Sequence, residues 1–279
     1  MTRALVNRTR TSPSIARRLL REGKLHLLPL YALTRTSDLA REGIENSGSY
    51  RFADHAYRAR PSGRYLVGKF LDRVLLGLRG ARSMRSRFLH AKAETLAAAR
   101  RHPAGRPFRA LSVPCGVARE LVEVAATLRA EDPGFLERAT FFGMDLDPRP
   151  LDLSRELAAG VTDLVLIEAD AFDRAAYPSE LDVVLSTGFG EFLSDEELTR
   201  FYAICRDALR EGGVFVTSGM QRDRVADYLM RELAELEAHY RGPATLLRRL
   251  QDAGFSDVSA RQDDVGLQTL LVARKGAAP

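Results

Sequence analysis

From about residue 108 onward, short apolar runs alternate with stretches of helical periodicity, and this alternation constrains the fold more than any other feature of the chain. Apolar runs of this length, bounded by turn residues, are typical of buried parallel strands that are joined by helices. We expect strands near residues 109–113, 140–145, 164–168, 181–186, 214–218, 258–262 and 269–274. The pattern therefore predicts an α/β domain with a mostly parallel central sheet. Within it, Ser194 and Glu197 predict a capping box for a helix over 194–210 that Gly212 and Gly213 would stop.

The residues before this region have a different character. Over about residues 14–101, apolar side chains recur every three or four positions, which predicts helices; the clearest series is Leu66, Phe70, Val74, Leu75 and Leu78. A polar stretch over 42–60 is predicted to be a loop, and the prolines and glycine of 101–107 predict a domain boundary. We therefore expect an N-terminal helical, basic cap over residues 1–105 and an α/β domain over 106–279.

Charge is distributed unevenly along the chain. Residues 1–110 contain 24 Lys+Arg and 7 Asp+Glu, a local balance of +17, whereas the remainder has a balance of −12. These halves would attract each other, and uncovered basic surface would attract an anionic partner. We expect a small-molecule substrate that is anionic or bound to a carrier, with nucleic acid disfavoured and homo-oligomerisation left open.

Cysteine and histidine usage argues against a metal site. Cys115 and Cys205 are the only cysteines, and the five histidines lack the spacing of metal ligands. We therefore predict no metal and a cytoplasmic location. No run approaches the roughly 18 apolar residues of a membrane span, so no membrane association is expected. The Arg- and Ser-rich opening segment is interpreted as an integral helical N-terminus.

Ligand chemistry is predicted where the first two strands end. The first strand runs into Pro114, Cys115 and Gly116, and small residues at such a turn let a ligand approach the backbone near a helix N-terminus. The second strand ends at Asp145, whose carboxylate could accept hydrogen bonds from both hydroxyls of a ribose. Asp147 directly precedes a proline and is expected to cap the next helix instead.

The third strand ends in a similar group of residues. Asp170 offers an acceptor for an exocyclic amine, and Phe172 offers an aromatic wall for a purine ring. Adenine would satisfy both side chains. A solvated surface turn is the alternative interpretation of this segment.

Together these residues resemble the class I S-adenosylmethionine-dependent methyltransferases over about residues 108–275. In that family a glycine-rich turn, an acid after the second strand and an Asp-Ala type pair after the third hold the cofactor. The resemblance implies S-adenosylmethionine as the cofactor and a Rossmann-like sheet of seven strands with the last antiparallel. The implied cofactor-binding residues are Pro114, Cys115, Gly116, Asp145, Leu146, Asp170, Ala171, Phe172, Ser186, Thr187 and Gly188.

The chain departs from the family pattern in its first motif. The family has an acid followed by Gly-x-Gly-x-Gly, whereas this chain has Ser112, Pro114, Gly116 and Ala118. Ser112 removes a charge that helps to hold the methionine end of the cofactor, and Pro114 removes a backbone donor. The Asp/Asn-Pro-Pro-aromatic signature of amino-methylating relatives is also absent, which disfavours methylation of nucleic-acid bases.

Two groups are candidates for catalysis. Methyl transfer is an in-line displacement, so alignment and exclusion of water come first, and a base helps when the acceptor carries a proton. Glu191 follows the fourth strand and could face the sulfonium. In the predicted cap, Asp54, His55 and Tyr57 supply an acid, a base and a phenol, although an ordinary polar hinge with Tyr57 packed in the core is the favoured interpretation.

The leading hypothesis is O- or C-methylation of a small, anionic metabolite. The altered first motif leaves open an attack at the aminocarboxypropyl carbon, which would release methylthioadenosine. A cofactor-binding module without catalysis is a further alternative. A nicotinamide-dependent dehydrogenase is disfavoured because the turn lacks the glycines that fit a pyrophosphate.

Overall fold

The computed structural model describes residues 12–46 and 48–276, which divide into two compact units. One unit contains residues up to Arg85 together with Arg222–Ala238, and the other contains Ser86–Gln221 and the residues from His239 onward. We call them the helical unit and the sheet unit. The predicted N-terminal helix falls partly on residues 1–11, which lie outside the described residues. The functional division at residue 105 stays a prediction.

The sheet unit is built on a seven-stranded sheet in the order β3-β2-β1-β4-β5-β7-β6. The first five strands run parallel, and β7 is antiparallel to both β5 and β6. This confirms the predicted Rossmann-like sheet. The strands are β1 (Phe108–Ser112), β2 (Ala139–Asp145), β3 (Leu164–Glu168), β4 (Leu181–Ser186), β5 (Leu209–Met220), β6 (Asp257–Gln262) and β7 (Gln268–Arg274).

Helices connect these strands and begin at the caps that the sequence indicates. Asp147 caps its helix through the Arg149 N–H, and Ser194 and Glu197 form the predicted capping box. The predicted stop at Gly212 and Gly213 is wrong, because the helix ends at Ala208 and the strand begins at once. The helices are α7 (Arg119–Glu131), α8 (Pro148–Ala158), α9 (Asp195–Ala208) and α11 (Pro243–Asp252).

Both faces of the sheet are covered by apolar packing. Successive residues of a strand point to opposite faces, and Phe141 and Phe142 accordingly belong to different hydrophobic clusters. Phe108 and Phe141 are fully buried, and burial of such a side chain stabilises the fold by about 1.5–3 kcal/mol. This packing fixes the strands and leaves their carboxyl ends as the edge where irregular loops meet.

The helical unit is assembled from two separate segments of the chain. Its core contains Ile15, Leu19 and Tyr31 from the first segment and Leu233 from the second. Arg18 donates to the Glu232 carbonyl and pairs with Glu235, which joins the same two segments. The helices are α1 (Ser12–Arg21), α2 (Leu27–Thr34), α3 (Asp38–Glu45), α4 (Tyr50–Arg58), α5 (Tyr65–Gly77) and α10 (Arg224–Ala234), and α6 (Arg79–Arg101) crosses the division at Arg85.

The predicted loop over 42–60 is wrong. Glu42 lies in α3, and helix α4 begins at Tyr50 because Ser49 adopts an extended backbone and its hydroxyl accepts from the Arg51 N–H. The polar residues of this stretch therefore cap helices rather than interrupt them. Ser47, which belonged to the same prediction, lies outside the described residues.

Helix α5 presents most of its apolar stripe outward. Leu66 is 86% exposed and Phe70 66% exposed, whereas Leu76 is 5% exposed. Asp72 is fully buried and accepts from the Ser62 and Gly63 N–H groups, so it fixes the turn that precedes the helix. The exposed surface of α5 is consequently apolar and basic.

Candidate functional site

The structure brings the ends of the first three strands side by side. Ser112 is level with Gly143, and Asp145 is level with Glu168. The Gly116 N–H donates to Asp145 Oδ2 at 2.8 Å, and the Ala169 N–H donates to the Asp145 carbonyl at 3.1 Å. Asp145 therefore ties the predicted cofactor positions of all three strands together.

The turn after β1 is compact and internally bonded. The Cys115 N–H donates to the Met144 carbonyl at 2.8 Å, and the Ala118 N–H donates to Ser154 Oγ at 3.0 Å. Gly116 has a φ of 51°, in the left-handed region that favours glycine. Burial raises the pKa of the Cys115 thiol, and the carboxylates of Asp145 and Glu120 raise it further. A reactive thiolate is thus disfavoured at this turn.

Asp145 has the environment of a binding carboxylate. Burial raises its pKa, while the N–H groups of Asp147 and Gly116 oppose that rise. Each oxygen accepts one of these backbone hydrogen bonds, and a carboxylate oxygen can accept more than one. Leu146 beside it is 38% exposed and lies open at the rim. Asp145 therefore has acceptor capacity for ribose hydroxyls.

The loop after β3 holds its own shape. The Phe172 N–H donates to Asp170 Oδ1 at 2.9 Å, and the Tyr177 hydroxyl donates to the Ala171 carbonyl at 2.6 Å. The Phe172 ring lies 6.4 Å from the ring of Phe189, which follows β4. These contacts place an acidic and an aromatic side chain beside the neighbouring strand ends.

At the end of β4, Glu191 lies buried in the short helical turn Gly190–Phe192. Arg87 Nη1 of α6 lies 3.6 Å from Glu191 Oε1, and a Cβ at Gly188 would come within 2.5 Å of the Arg87 guanidinium. The Gln268 side chain also interacts with the Glu191 carboxylate and opposes the rise in its pKa. Ser186 Oγ is buried nearby and has no well-formed hydrogen bond among the described residues, so it could bond to a ligand.

The electrostatics of Glu191 follow from this setting. Burial raises the pKa of Glu191, and Arg87 is the foremost of the groups that oppose the rise. The sequence prediction missed Arg87 because nothing distinguishes it from the other arginines of α6. Thr187 and Gly188, which precede Glu191 in the chain, are half-buried.

Hydrogen bonds from residues 239 and 241 hold the backbone around Glu191. The His239 N–H donates to the Glu191 carbonyl at 2.7 Å. Arg241 is buried and donates to the carbonyls of Gly190 and Leu193 at 2.9 and 2.6 Å. These bonds fix the turn, so the Glu191 carboxylate has a defined position.

His55 and Tyr57 lie in the helical unit on α4. His55 Nε2 is 3.0 Å from the Arg60 carbonyl and 3.6 Å from Asp72 Oδ2. Residues two positions apart on a helix do not face each other, so His55 and Tyr57 do not converge. Their catalytic role stays a prediction.

The comparisons with known proteins agree with this architecture. A solved structure from Bordetella parapertussis, described as a possible exported protein, superposes with a TM-score of 0.73 at 22% identity and covers 90% of this chain and 87% of that chain. The CurJ carbon methyltransferase gives 0.61 at 14% identity, covering 96% and 72%. Magnesium protoporphyrin IX methyltransferase from Synechocystis PCC 6803, with bound S-adenosylmethionine, gives 0.52 at 13% identity, covering 85% and 96%. No curated protein matches the chain.

The strand order is that of the fold which these methyltransferases share. A family model described as "Putative methyltransferase" matches residues 33–275, and the chain belongs to that family. The enzyme therefore uses S-adenosylmethionine, as the sequence predicted. Among the described residues, no helix is long and apolar enough to cross a bilayer, and no cluster of ligating side chains could hold a metal ion.

Proposed function

We propose that this enzyme transfers a methyl group to an oxygen or carbon atom of a small, anionic metabolite. The observation on which this depends is the buried Glu191–Arg87 pair at the end of β4, next to the strand ends that we assign to the cofactor. A buried carboxylate beside a cation can accept a proton, and the cation can attract an anionic substrate.

We assign the cofactor-binding residues from their positions at the ends of neighbouring strands. Asp145 would accept from the ribose hydroxyls, Asp170 would accept from the exocyclic amine, and Phe172 would cover one face of adenine. The cofactor would supply a methyl group on a positively charged sulfur. We assign to the same site the turn at Pro114, Cys115 and Gly116 and the residues Leu146, Ala171, Ser186, Thr187 and Gly188.

Glu191 acts on the acceptor. Glu191 would accept the proton that the acceptor atom loses, and the cofactor would supply the methyl group and keep the electrons of its carbon–sulfur bond on sulfur. Arg87 opposes the rise in the pKa of Glu191 that burial causes, which favours the carboxylate form that can accept a proton. Exclusion of water by the buried turn favours this transfer.

Arg87 also bears on the choice of substrate. The basic bias of residues 1–110 adds positive charge that would concentrate anionic metabolites, whether free or bound to a carrier. The two cysteines are buried and unpaired, which is consistent with the cytoplasmic location that we infer.

A metabolite assay tests the proposal. Purified protein is incubated with S-adenosylmethionine and libraries of carboxylated, phosphorylated and neutral hydroxy compounds, and the adenosyl by-product is identified by mass spectrometry. We expect S-adenosylhomocysteine with anionic acceptors. Accumulation of methylthioadenosine instead would establish attack at the aminocarboxypropyl carbon and contradict the proposal.

Substitutions then test the assigned roles. Glu191→Gln keeps the shape and removes the base, so kcat is expected to fall about 100-fold or more. Arg87→Gln is expected to raise KM for the anionic acceptor and to move the rise of activity to higher pH, because Arg87 lowers the pKa of Glu191. Arg100→Gln on the same helix is the matched control, since Arg100 is exposed and pairs with Glu131. Unchanged kinetics in Arg87→Gln would refute the substrate assignment.

A further inference from the structure

A second buried carboxylate lies at the predicted cofactor site, and the mechanism above does not use it. Glu120 is in the first turn of α7 and is 9% exposed. The Ser112 hydroxyl at the end of β1 donates to Glu120 Oε1 at 2.5 Å. The Glu120 carboxylate therefore lies at the end of β1, where the sequence itself places only a serine.

Among the described residues, no lysine or arginine forms a salt bridge within 4.0 Å of the Glu120 carboxylate, and Arg119 next to it in the chain opposes the rise in its pKa only weakly. Burial raises the pKa of Glu120 to about 7, and the nearby Glu123 adds to the rise. The Ser112 hydroxyl is the main group that opposes it, while Arg119 has the smallest effect. A buried carboxylate without a close ion-pair partner is costly, and a cationic ligand group would remove that cost.

The strand order indicates which ligand group that is. Adenosine positions lie at the ends of β2 and β3, and the Glu191–Arg87 pair lies at the end of β4; β1 runs between them. If the cofactor extends from the proposed adenosine positions at β2 and β3 toward Glu191 at β4, its amino-acid end would come within reach of β1, which lies between them. That end carries an ammonium group, which a carboxylate binds through charge-assisted hydrogen bonds.

The position of Cys115 supports this placement. Its thiol lies close enough to both Glu120 and Asp145 for each carboxylate to raise its pKa. Both carboxylates therefore lie near the same short turn.

We propose that Glu120, held by Ser112, binds the ammonium group of the cofactor and replaces the acid that the first motif lacks. This inference rests on the proposed cofactor site. It makes α7 rather than β1 the source of the carboxylate, and Ser112 a positioning residue for it.

Binding calorimetry with two ligands tests the proposal. S-adenosylhomocysteine has the amino-acid end, and methylthioadenosine contains the same adenosyl group and sulfur without it. In Glu120→Gln, we expect the affinity for S-adenosylhomocysteine to fall about tenfold or more and the affinity for methylthioadenosine to stay within about twofold. Glu131→Gln on the same helix is the control, because Glu131 is exposed and pairs with Arg100, and it should change neither affinity.

Each other outcome overturns the inference in a recognisable way. An equal loss of affinity for both ligands in Glu120→Gln would show that Glu120 has a purely structural role. Unchanged binding of both would show that Glu120 does not contact the ligand. If the unsubstituted protein binds neither ligand, the proposed cofactor site fails as well.

Discussion

Glu120 is a residue whose protonation couples the site to the stability of the fold. Its pKa is about 7 in the folded protein against an ordinary value of 4.5, so the folded state binds the proton more tightly than the unfolded state. Stability from this group is fully present below the unfolded pKa and is lost as pH rises through the folded pKa. Between the unfolded pKa of 4.5 and the folded pKa of about 7, the free energy of unfolding falls by about 3 kcal/mol.

This cost predicts a stabilised variant. Glu120→Gln has no charge to bury, so its free energy of unfolding relative to the unsubstituted protein should rise by up to about 3 kcal/mol between about pH 5 and about pH 8. Urea denaturation at both pH values measures the difference. Glu131→Gln, whose side chain is 43% exposed, should show no such trend. A pH-independent effect of Glu120→Gln would mean that Glu120 does not titrate in this range.

At the scale of single elements, α5 gives a test of which apolar residues support the fold. Leu66→Ser and Phe70→Ser should change the free energy of unfolding by less than about 0.5 kcal/mol, because both side chains lie in solvent. Leu76→Ala on the same helix should cost about 2–5 kcal/mol. Chemical denaturation of the three variants compares them. A large loss of unfolding free energy in Leu66→Ser would show that the apolar stripe of α5 is covered in solution.

Helix α5 also shows how far a sequence pattern determines structure. Periodicity identifies residues that share a helix face, but it does not determine whether that face meets a core. The strands were predictable because apolar runs bounded by turns have few other structures, and Asp145 and Asp170 follow from where those strands end. Arg87 and Glu120 were not predictable, since their positions depend on how α6 and α7 pack beside β4 and β1.

At the scale of the whole chain, the helical unit depends on residues that are distant in sequence. Leu233 is 3% exposed and packs with Ile15, Leu19 and Tyr31. Leu233→Ala should therefore destabilise that unit by about 2–5 kcal/mol. Hydrogen exchange should show faster exchange over α1 and α2 and unchanged exchange in α9.

The matched control lies on the same helix. Val225 is 68% exposed, so Val225→Ala should leave exchange unchanged throughout. Equal acceleration in α9 and α1 would show that the two units unfold together, contrary to this expectation.

The return of the chain at His239 has a practical consequence for engineering. Ala238 is the last residue of the helical unit, and the next peptide N–H is bonded to the carbonyl of Glu191. A hybrid protein that exchanges the helical unit between relatives should therefore keep residues 239–241 from the sheet donor. A junction placed after residue 241 would instead replace Arg241, whose side chain donates to the carbonyls of Gly190 and Leu193 on either side of the proposed base.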